Sequence, residues 1–443
     1  MKIYNSYTDQ LEIFKTIHDN QLNIYVCGPT VYNYIHIGNA RPVVFFDTVR
    51  RFFEAKNYRV KFVSNFTDVD DKIIQKAIEE GKDEFIISQH YIKAFLNDVE
   101  SLNCLSDYIK PKVTQYMDHI IDYIQMLIDK DYAYKVHGDV YFRVEKIKDY
   151  GRLSKQEVND LKSGSRIDVN PDKESPLDFT LWKKTDEGLK FESPFSTGRP
   201  GWHTECVAMI DDIFGEKIDI HGGGSDLKFP HHENEIAQSL ALNNHRLANY
   251  WMHNGRVSIK DTKMSKSIGN VILVKDVDNK MALRYFLLST HYRSPLNYDE
   301  EGFQMYVKEF EKLESTMKVL FRKVDLLGQV QEVKITDQEI EKLMNDFISS
   351  LEDDFNTANA ITALQALTKL INIQVRQNKT SDEYNQLLSA IRYMTSILGL
   401  KVELKAMTDE ERQIYRDWTQ ARKNKDFDQA DILRDQLLER GIL

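Results

Sequence analysis

Cysteine is scarce: Cys27, Cys104 and Cys206 are the only three in 443 residues. Three is too few for a disulfide framework and odd in number. The chain therefore suits a reducing compartment, and metal binding or catalysis are the special roles open to its thiols. Long apolar runs are missing as well. No uninterrupted stretch reaches the roughly 18 residues of a membrane span, and the opening MKIYNSYTDQLE, which mixes polar and apolar residues with two acids, has no secretory h-region. The expectation is a cytoplasmic protein without membrane contact. Excess positive charge is also absent: the formal net charge is −10, which argues against nonspecific coating of nucleic acid but leaves room for a local basic groove. What is present is an ordinary globular composition, 42% hydrophobic and 29% charged, neither disordered nor collagen-like. At about 150 residues per domain the length predicts roughly three units.

Leu22–Cys27 reads as a buried β-strand, which Gly28-Pro29-Thr30 breaks before a helical pattern from Gly38 to Asn57; Val60–Ser64 is a second strand. This β-loop-α-β order predicts a parallel sheet whose ligand crevice lies at the carboxyl ends of its strands, where Cys27 sits. From about Asp70 to Lys130 apolar residues such as Ile73, Ile74, Ala77, Ile120, Tyr123, Ile124 and Leu127 recur at helical spacing. Asp139–Val144 alternates like a strand, and Lys162–Pro176 is polar and marked by glycine and proline, hence an exposed loop. The pattern then resumes with a strand near Lys217–Ile220, a turn at Gly222-Gly223-Gly224, a helix from about His231 and a strand near Tyr250–Met252. An insertion thus splits the sheet domain. After Glu300 nearly everything is amphipathic helix, with Ile361, Leu364, Leu367 and Ile371 on one face. Charged helices around Glu411–Lys423 and Phe427–Arg440 follow the connection Gly399–Thr408. The predicted architecture is an α/β core over 1–300 carrying an insertion at about 112–200, an α-helical bundle over 301–400 and a small helical module over 401–443.

His36-Ile37-Gly38-Asn39 opens the first long helix directly after a strand and a break. Free backbone N–H groups and the helix dipole favour phosphate there, and a glycine lets a nucleotide approach. By itself the tetrapeptide also reads as a plain turn. Lys263-Met264-Ser265-Lys266-Ser267, followed by Ile268-Gly269-Asn270, sets two lysines and two hydroxyls on a loop suited to clamping polyphosphate. Together and in this order, the two resemble the signatures of class I aminoacyl-tRNA synthetases. Cys27, Cys206, His231 and Glu235 offer thiolates, an imidazole and a carboxylate, a donor set that suits zinc; spacing does not choose between His231 and His232. A zinc-protease helix is excluded, because the second histidine it requires would fall at Ile236. Cys104 reads as core packing, and the acids of Thr67-Asp68-Val69-Asp70-Asp71 as helix caps in preference to a magnesium site.

Cys27-Gly28-Pro29-Thr30, the His36 and Lys263 signatures, Asn65–Lys72, Gly201–Cys206, His221–Leu227 and Phe229–Glu235 together resemble the bacterial cysteinyl-tRNA synthetases over essentially the whole chain. The resemblance implies a Rossmann-like class I core and one zinc ion on Cys27, Cys206, His231 and Glu235. It implies catalytic roles for His36, Lys263 and Lys266, and ATP contacts from His36, Gly38, Asn39, Gly222, Gly223, Asp226 and Lys266. Thr67, Trp202 and His221 would surround the cysteine substrate. ATP, with magnesium, and tRNA(Cys) would be the other partners of a monomer. Asn39 stands where many relatives have histidine, so an amide would make that phosphate contact, and the chain lacks a tail that some relatives carry. Two other readings are a cysteine ligase of the mycothiol type, which passes the acyl group to an amine and needs no tRNA-binding end domains, and a catalytically silent zinc RNA-binding module, in which the nucleotide signatures would have decayed.

Overall fold

The computed structural model describes residues 1–156, 170–259, 262–263, 271–328 and 330–442. Two compact units emerge: Met1–Phe303 with Ser350–Ala358, and Gln304–Ser349 with Asn359–Leu443. The centre of the first is a parallel sheet in the order β10-β9-β3-β4. Its strands are β3 (Gln21–Val26), β4 (Arg59–Ser64), β9 (Ile218–Gly224) and β10 (Ala248–Asn254). The crossover from β3 to β4 is helix α1 (Ile37–Ala55), whose Val44, Phe45, Phe46, Val49, Phe52 and Phe53 are buried. That dense apolar stripe covers the sheet and accounts for the right-handed βαβ packing expected of parallel strands.

A hairpin, β1 (Lys2–Asn5) with β2 (Gln10–Ile13), precedes the sheet, and its short alternating strands were not anticipated from the sequence. Helices α2 (Asp71–Glu80), α3 (Glu84–Ser101) and α4 (Met117–Asp129) follow β4. Between them and β9 lies an antiparallel sheet of β5 (Ala133–Val136), β6 (Asp139–Phe142), β7 (Phe179–Lys184) and β8 (Gly198–Pro200). Only β6 among these was legible in advance, and most of the loop predicted at 162–176 falls outside the described residues. Helix α5 (Trp202–Phe214) leads into β9, and α6 (Glu233–Asn243) into β10. Gly222, Gly223 and Gly224 are strand residues of β9, not a turn, and the helix expected from His231 begins at Glu233 after a kinked segment, Lys228–His232. A small sheet of β11 (Val257–Ile259), β12 (Thr262–Lys263) and β13 (Leu296–Tyr298), together with α7 (Lys280–Leu288), completes the α/β part.

A buried ion pair ties α7 to α1. Arg284 is fully buried; its guanidinium binds the Asp47 carboxylate and donates to the Leu102 carbonyl at 2.9 Å. Asp47 also accepts from Arg51 Nε at 2.8 Å and from the Leu105 N–H at 2.7 Å. Burial alone would raise the Asp47 carboxyl, but Arg284 and Arg51 outweigh it and hold the group below its ordinary range. Cys104 lies just beyond α3 and not within a helix; burial pushes its thiol up to about 12, and Arg284 donates to its sulfur at 3.4 Å.

The returning segment Ser350–Ala358 is pinned through Asp354. Its carboxylate accepts from the Tyr4 N–H at 2.8 Å, the Tyr292 hydroxyl at 2.9 Å and Arg293 Nε at 2.8 Å, while Phe355 packs edge-on against Phe45, Phe52 and Phe53.

The helical unit is built from α8 (Glu300–Leu326), α9 (Gln338–Glu352), α10 (Thr357–Gln374) and α11 (Ser381–Leu398). Ile361, Leu364, Leu367 and Ile371 are all buried, as their spacing predicts. The last two helices, α12 (Asp409–Lys423) and α13 (Phe427–Glu439), close over Met407, Leu437 and Ile442 with Leu326, Tyr415 and Trp418 packed alongside. Trp418 is therefore a packing residue, whereas Phe427 is 66% exposed.

Candidate functional site

A cavity of about 370 Å³ opens at the carboxyl ends of β3 and β9, and its walls include Cys27, His36, Gly38, Asn39, Trp202 and Asp226. It is the place that parallel-sheet topology assigns to a ligand. His36 caps α1: its Nδ1 accepts from the Asn39 N–H at 3.2 Å, and the Asn39 side-chain oxygen accepts in return from the His36 N–H at 3.3 Å. The amide of Asn39, expected at a phosphate, thus closes a capping box. Gly28 donates its N–H to Asn65 Oδ1 at 2.9 Å, and a Cβ at this position would collide with the Asn65 carbonyl. The glycine is required by that close approach.

Deeper, beside Cys27, the structure gathers the four residues the sequence singled out for metal. Cys27 Sγ lies 3.7 Å from Cys206 Sγ, 3.5 Å from His231 Nε2 and 3.6 Å from Glu235 Oε1. Cys206 Sγ is 3.8 Å from the same His231 nitrogen, which is 3.0 Å from Glu235 Oε1. Tetrahedral zinc with ordinary Zn–S, Zn–N and Zn–O bonds places its ligand atoms roughly 3.4–3.8 Å apart, so the residues present fit that ion. Among the described residues a second set, Cys27, His221, His232 and Glu235, also converges. It has one sulfur fewer, and its His221 Nε2 to Glu235 Oε2 separation of 2.7 Å falls further below the ligand spacing than the 3.0 Å between His231 and Glu235. The geometry favours His231 over its neighbour.

Neighbouring rings orient these donors. The other nitrogen of His231, Nδ1, meets His203 Nδ1 at 3.1 Å, and Trp202, 39% exposed, stacks on the His231 ring at 4.1 Å. A buried ladder runs from Ser6 Oγ to His253 Nδ1 at 3.0 Å, from His253 Nε2 to His232 Nδ1 at 2.8 Å, and from His232 Nε2 to Cys27 Sγ at 3.3 Å. Burial drives both His232 and His253 well below the ordinary imidazole range, and His203 down to about 3, so all three rings are neutral at pH 7.

The hydrogen bond with Cys27, reinforced by His231, brings the Cys206 thiol down to about 6. Burial, then Cys206 and Glu235, push Cys27 well up. Burial opposes charge on His231, but Glu235 and Cys206 outweigh it and raise the ring to about 10. Glu235 resists its own burial and stays well below the carboxylate range, because His221, His231 and His232 surround it. At pH 7 the metal-free site therefore carries one proton on Cys27 and one extra on His231, and a dication must displace both. Zinc affinity is expected to rise from about pH 7 to 8 with release of about two protons, measurable by chelator competition at several pH values; a pH-independent affinity would contradict this protonation pattern.

The other candidate residues lie less directly on the cavity. Thr67 Oγ1 donates to the buried Glu205 Oε2 at 3.0 Å and is held by Asn65 Nδ2 at 3.4 Å. His221 is fully buried, stacked on Trp251 at 4.5 Å. Gly222 admits the ring of Phe46, and Gly223 faces Leu227, so packing accounts for both. Asp70 caps α2 by accepting from the Lys72 N–H at 2.8 Å. Asp71, expected as a cap, instead reaches Arg199 and Lys183, and Asp68 accepts from Thr114. Lys263 is described in backbone only, in β12, and Lys266 with the rest of its signature lies outside the described residues. Sequence reasoning gave no role to Glu205, His203 or His253; the first two lie inside the quoted motif Gly201–Cys206, but nothing local marked His253.

Comparison with known proteins agrees with this geometry. The tRNA synthetases class I (C) catalytic domain family matches residues 13–308, and the DALR domain family residues 346–403. The chain is 45% identical over 453 residues to the cysteine--tRNA ligase of Anoxybacillus flavithermus, spanning 100% of this chain and 97% of that protein. The chain belongs to the cysteine--tRNA ligase family. A member from Staphylococcus aureus is 46% identical over 450 residues, with the same coverage. Among solved structures, a LeuRS–tRNA–LeuAMS ternary complex from Agrobacterium radiobacter shares the fold at TM-score 0.66 and 10% identity, covering 87% of this chain and 85% of that one. Mycobacterium tuberculosis methionyl-tRNA synthetase with methionyl-adenylate gives TM-score 0.59 at 14% identity, covering 85% and 89%. Within this family the class I α/β core and the helical DALR region account for the order of sheet and helices described above. Among the described residues no helix is long and apolar enough to cross a membrane.

Proposed function

We propose that this chain activates L-cysteine with ATP to cysteinyl-adenylate and transfers the cysteinyl group to the 3′ end of tRNA(Cys) in the cytoplasm, acting as a monomer. The convergence of Cys206, His231 and Glu235 on Cys27, which itself lines the cavity together with the His36 signature, carries this reading. Bound on those four residues, zinc would take the substrate thiol as thiolate, a bond that the alcohol of serine makes poorly at neutral pH, so discrimination would not need the modest selectivity of shape alone.

The remaining work is positioning and neutralisation of phosphate charge. His36, fixed as the cap of α1, and the positive end of that helix's dipole would hold the triphosphate with its magnesium; Gly38 gives the nucleotide room and Asn39 holds the cap. Asp226, beside the strand glycines Gly222 and Gly223, would serve the nucleoside. Thr67, Trp202 and His221 would orient the amino acid, the latter two through His231 and Glu235. Lys263 and Lys266 would neutralise charge that develops on the phosphates. Family membership and the DALR region speak against both the tRNA-independent amine ligase and the silent module.

Cysteine-dependent exchange of pyrophosphate into ATP, run beside cysteine transfer to tRNA(Cys), tests the reading. Exchange with cysteine but not serine, together with charging, is the expected result, and exchange without charging would revive the amine ligase. Residues 301–400 and 401–443 are proposed as the tRNA-binding bundle and the anticodon module. A chain ending near Lys405 should keep adenylation while its charging efficiency falls about tenfold, since contacts outside the active site can only position tRNA. Undiminished charging by a folded truncation would remove the module from recognition.

A further inference from the structure

Two strands across the parallel sheet from Cys27, a buried amide stands uncommitted. Asn254, the last residue of β10, is 2% exposed, and among the described residues neither its Oδ1 nor its Nδ2 has a hydrogen-bond partner. Burying an amide unpaired is costly, so each such group calls for a reason. The backbone beside it is already engaged: the Gly255 N–H donates to the Tyr292 carbonyl at 2.7 Å, and the Gly255 carbonyl accepts from Arg41 Nη1 at 2.8 Å. Arg41 also donates to the Ser294 carbonyl at 2.7 Å, which fixes the end of β10 against the chain that follows α7.

Successive side chains of a strand point to opposite faces. His253 turns to His232 on the zinc side, so Asn254 turns to the other side, where α1 packs. Its register partner on β9 is Gly224, and the preceding pair on the same face is Met252 with Gly222, beside which the Phe46 ring lies. Asn254 lines the cavity described above, in company with Pro42, Phe46, Leu227 and Val257. Apolar side chains around a single amide suit a flat heterocycle. Asp226 is exposed at the rim, and its carboxylate folds over Gly224. The acid therefore faces the solvent side and the amide the interior.

That order matches a nucleoside entering base first. Ribose hydroxyls can donate to the outer carboxylate, while the base passes inward among the apolar side chains. A carboxamide presents an acceptor beside a donor, and adenine offers the complement, its exocyclic amine next to a ring nitrogen.

We propose that Asn254 is a specificity-determining residue that reads the adenine of ATP, its Oδ1 accepting from the exocyclic amine and its Nδ2 donating to the adjacent ring nitrogen. This rests on the reading of the chain as an enzyme that activates cysteine with ATP, and adds to it the side chain that selects the base.

The test follows cysteine-dependent pyrophosphate exchange by the full chain with ATP and with purine riboside 5′-triphosphate, which keeps the ring nitrogens and lacks the amine. The parent should use the analogue about 10–100-fold less efficiently than ATP. Asn254→Ala should lose about tenfold with ATP and then treat the two nucleotides alike within about twofold, with cysteine affinity and zinc content at the parent level. Asn254→Leu, close to asparagine in size, removes the unpaired amide; it should unfold at or above the parent's Tm without nucleotide, and ATP should raise its Tm less. Full efficiency with ATP in Asn254→Ala overturns the proposal. So does a loss that leaves the preference for ATP over the analogue intact, which is what a merely structural residue would give, and so does a leucine variant that unfolds below the parent. If the alanine variant instead loses its discrimination against 2′-deoxy-ATP, the amide serves the ribose and the proposal is overturned as well. A parent chain without cysteine-dependent exchange overturns the underlying reading too, whereas parent exchange with unaffected variants overturns the role of Asn254 alone.

Discussion

Cys206→Ser should lower zinc affinity by more than about a hundredfold and reduce cysteine activation with it. Changes to groups that merely orient ligands already cost 10–100-fold in affinity, and this substitution removes a donor outright. The cost is specific to the site's electrostatics. Cys206 is the thiol that its neighbours bring down to about 6, so it supplies a thiolate at neutral pH without releasing a proton. A serine hydroxyl keeps its proton there. It also withdraws the negative charge that helps hold His231 protonated in the metal-free protein, so the variant should release fewer protons on any residual binding. Metal analysis of the purified variant, cysteine binding and pyrophosphate exchange measure the effect, with circular dichroism as the folding control. Parent-level zinc and cysteine affinity together would show that Cys206 is not a ligand.

Arg284→Ala is expected to destabilise the first unit by about 3–5 kcal/mol, the typical result of breaking a buried pair from one side. Asp47 would keep its hydrogen bonds from Arg51 and the Leu105 N–H but lose its fully buried counter-charge. The Leu102 carbonyl would lose its donor as well. Removing both charges, in Asp47→Leu with Arg284→Met, should cost less than the single change, because no uncompensated charge remains. The pH dependence has a definite sign. In the parent, Asp47 is held below its ordinary range, so its contribution is complete above the unfolded carboxylate value and is lost as pH falls through the lower folded one. Without Arg284 the buried carboxyl titrates higher, and protonation relieves it. The gap between variant and parent should therefore be widest near neutrality and narrow in acid. Urea unfolding at several pH values measures this; equal stability of variant and parent at pH 7 would refute it.

The parallel core was legible because its strands are continuous apolar runs and α1 has an uninterrupted apolar stripe. Both are local patterns. The metal cluster was legible as a choice of donor types, but its assembly was not: Cys27 and Cys206 are 179 residues apart, and only the pairing of β3 with β9 and the approach of α5 bring them together. The glycines at 222–224 misled because composition reads them as a turn, whereas Phe46 occupies the space that a side chain at Gly222 would fill. Asp71 misled for a related reason. Its place at a helix start suits a cap, yet Arg199, far along the chain, takes its carboxylate. The ladder from Ser6 through His253 and His232 to Cys27 joins four separate stretches of sequence by side-chain hydrogen bonds, and no periodicity announces such a contact.

The anchoring of Asp354 also bears on how the chain is made. The carboxylate that accepts from the Tyr4 N–H lies 350 residues downstream of it, so during synthesis at about 5–20 residues per second the amino-terminal hairpin waits roughly 20–70 s for its partner. Gln304–Ser349, the first and smaller part of the helical unit, must leave the ribosome within that interval, ahead of the residues that finish the catalytic unit. A nascent chain stalled at Phe303 would hold every strand of the parallel sheet and yet leave Tyr4, Tyr292 and Arg293 without the acceptor they share, with the aromatic faces of Phe45, Phe52 and Phe53 open where Phe355 belongs. Such a fragment would expose apolar surface of the kind that makes incomplete domains prone to aggregate, and the catalytic unit becomes complete only after translation has passed Ala358.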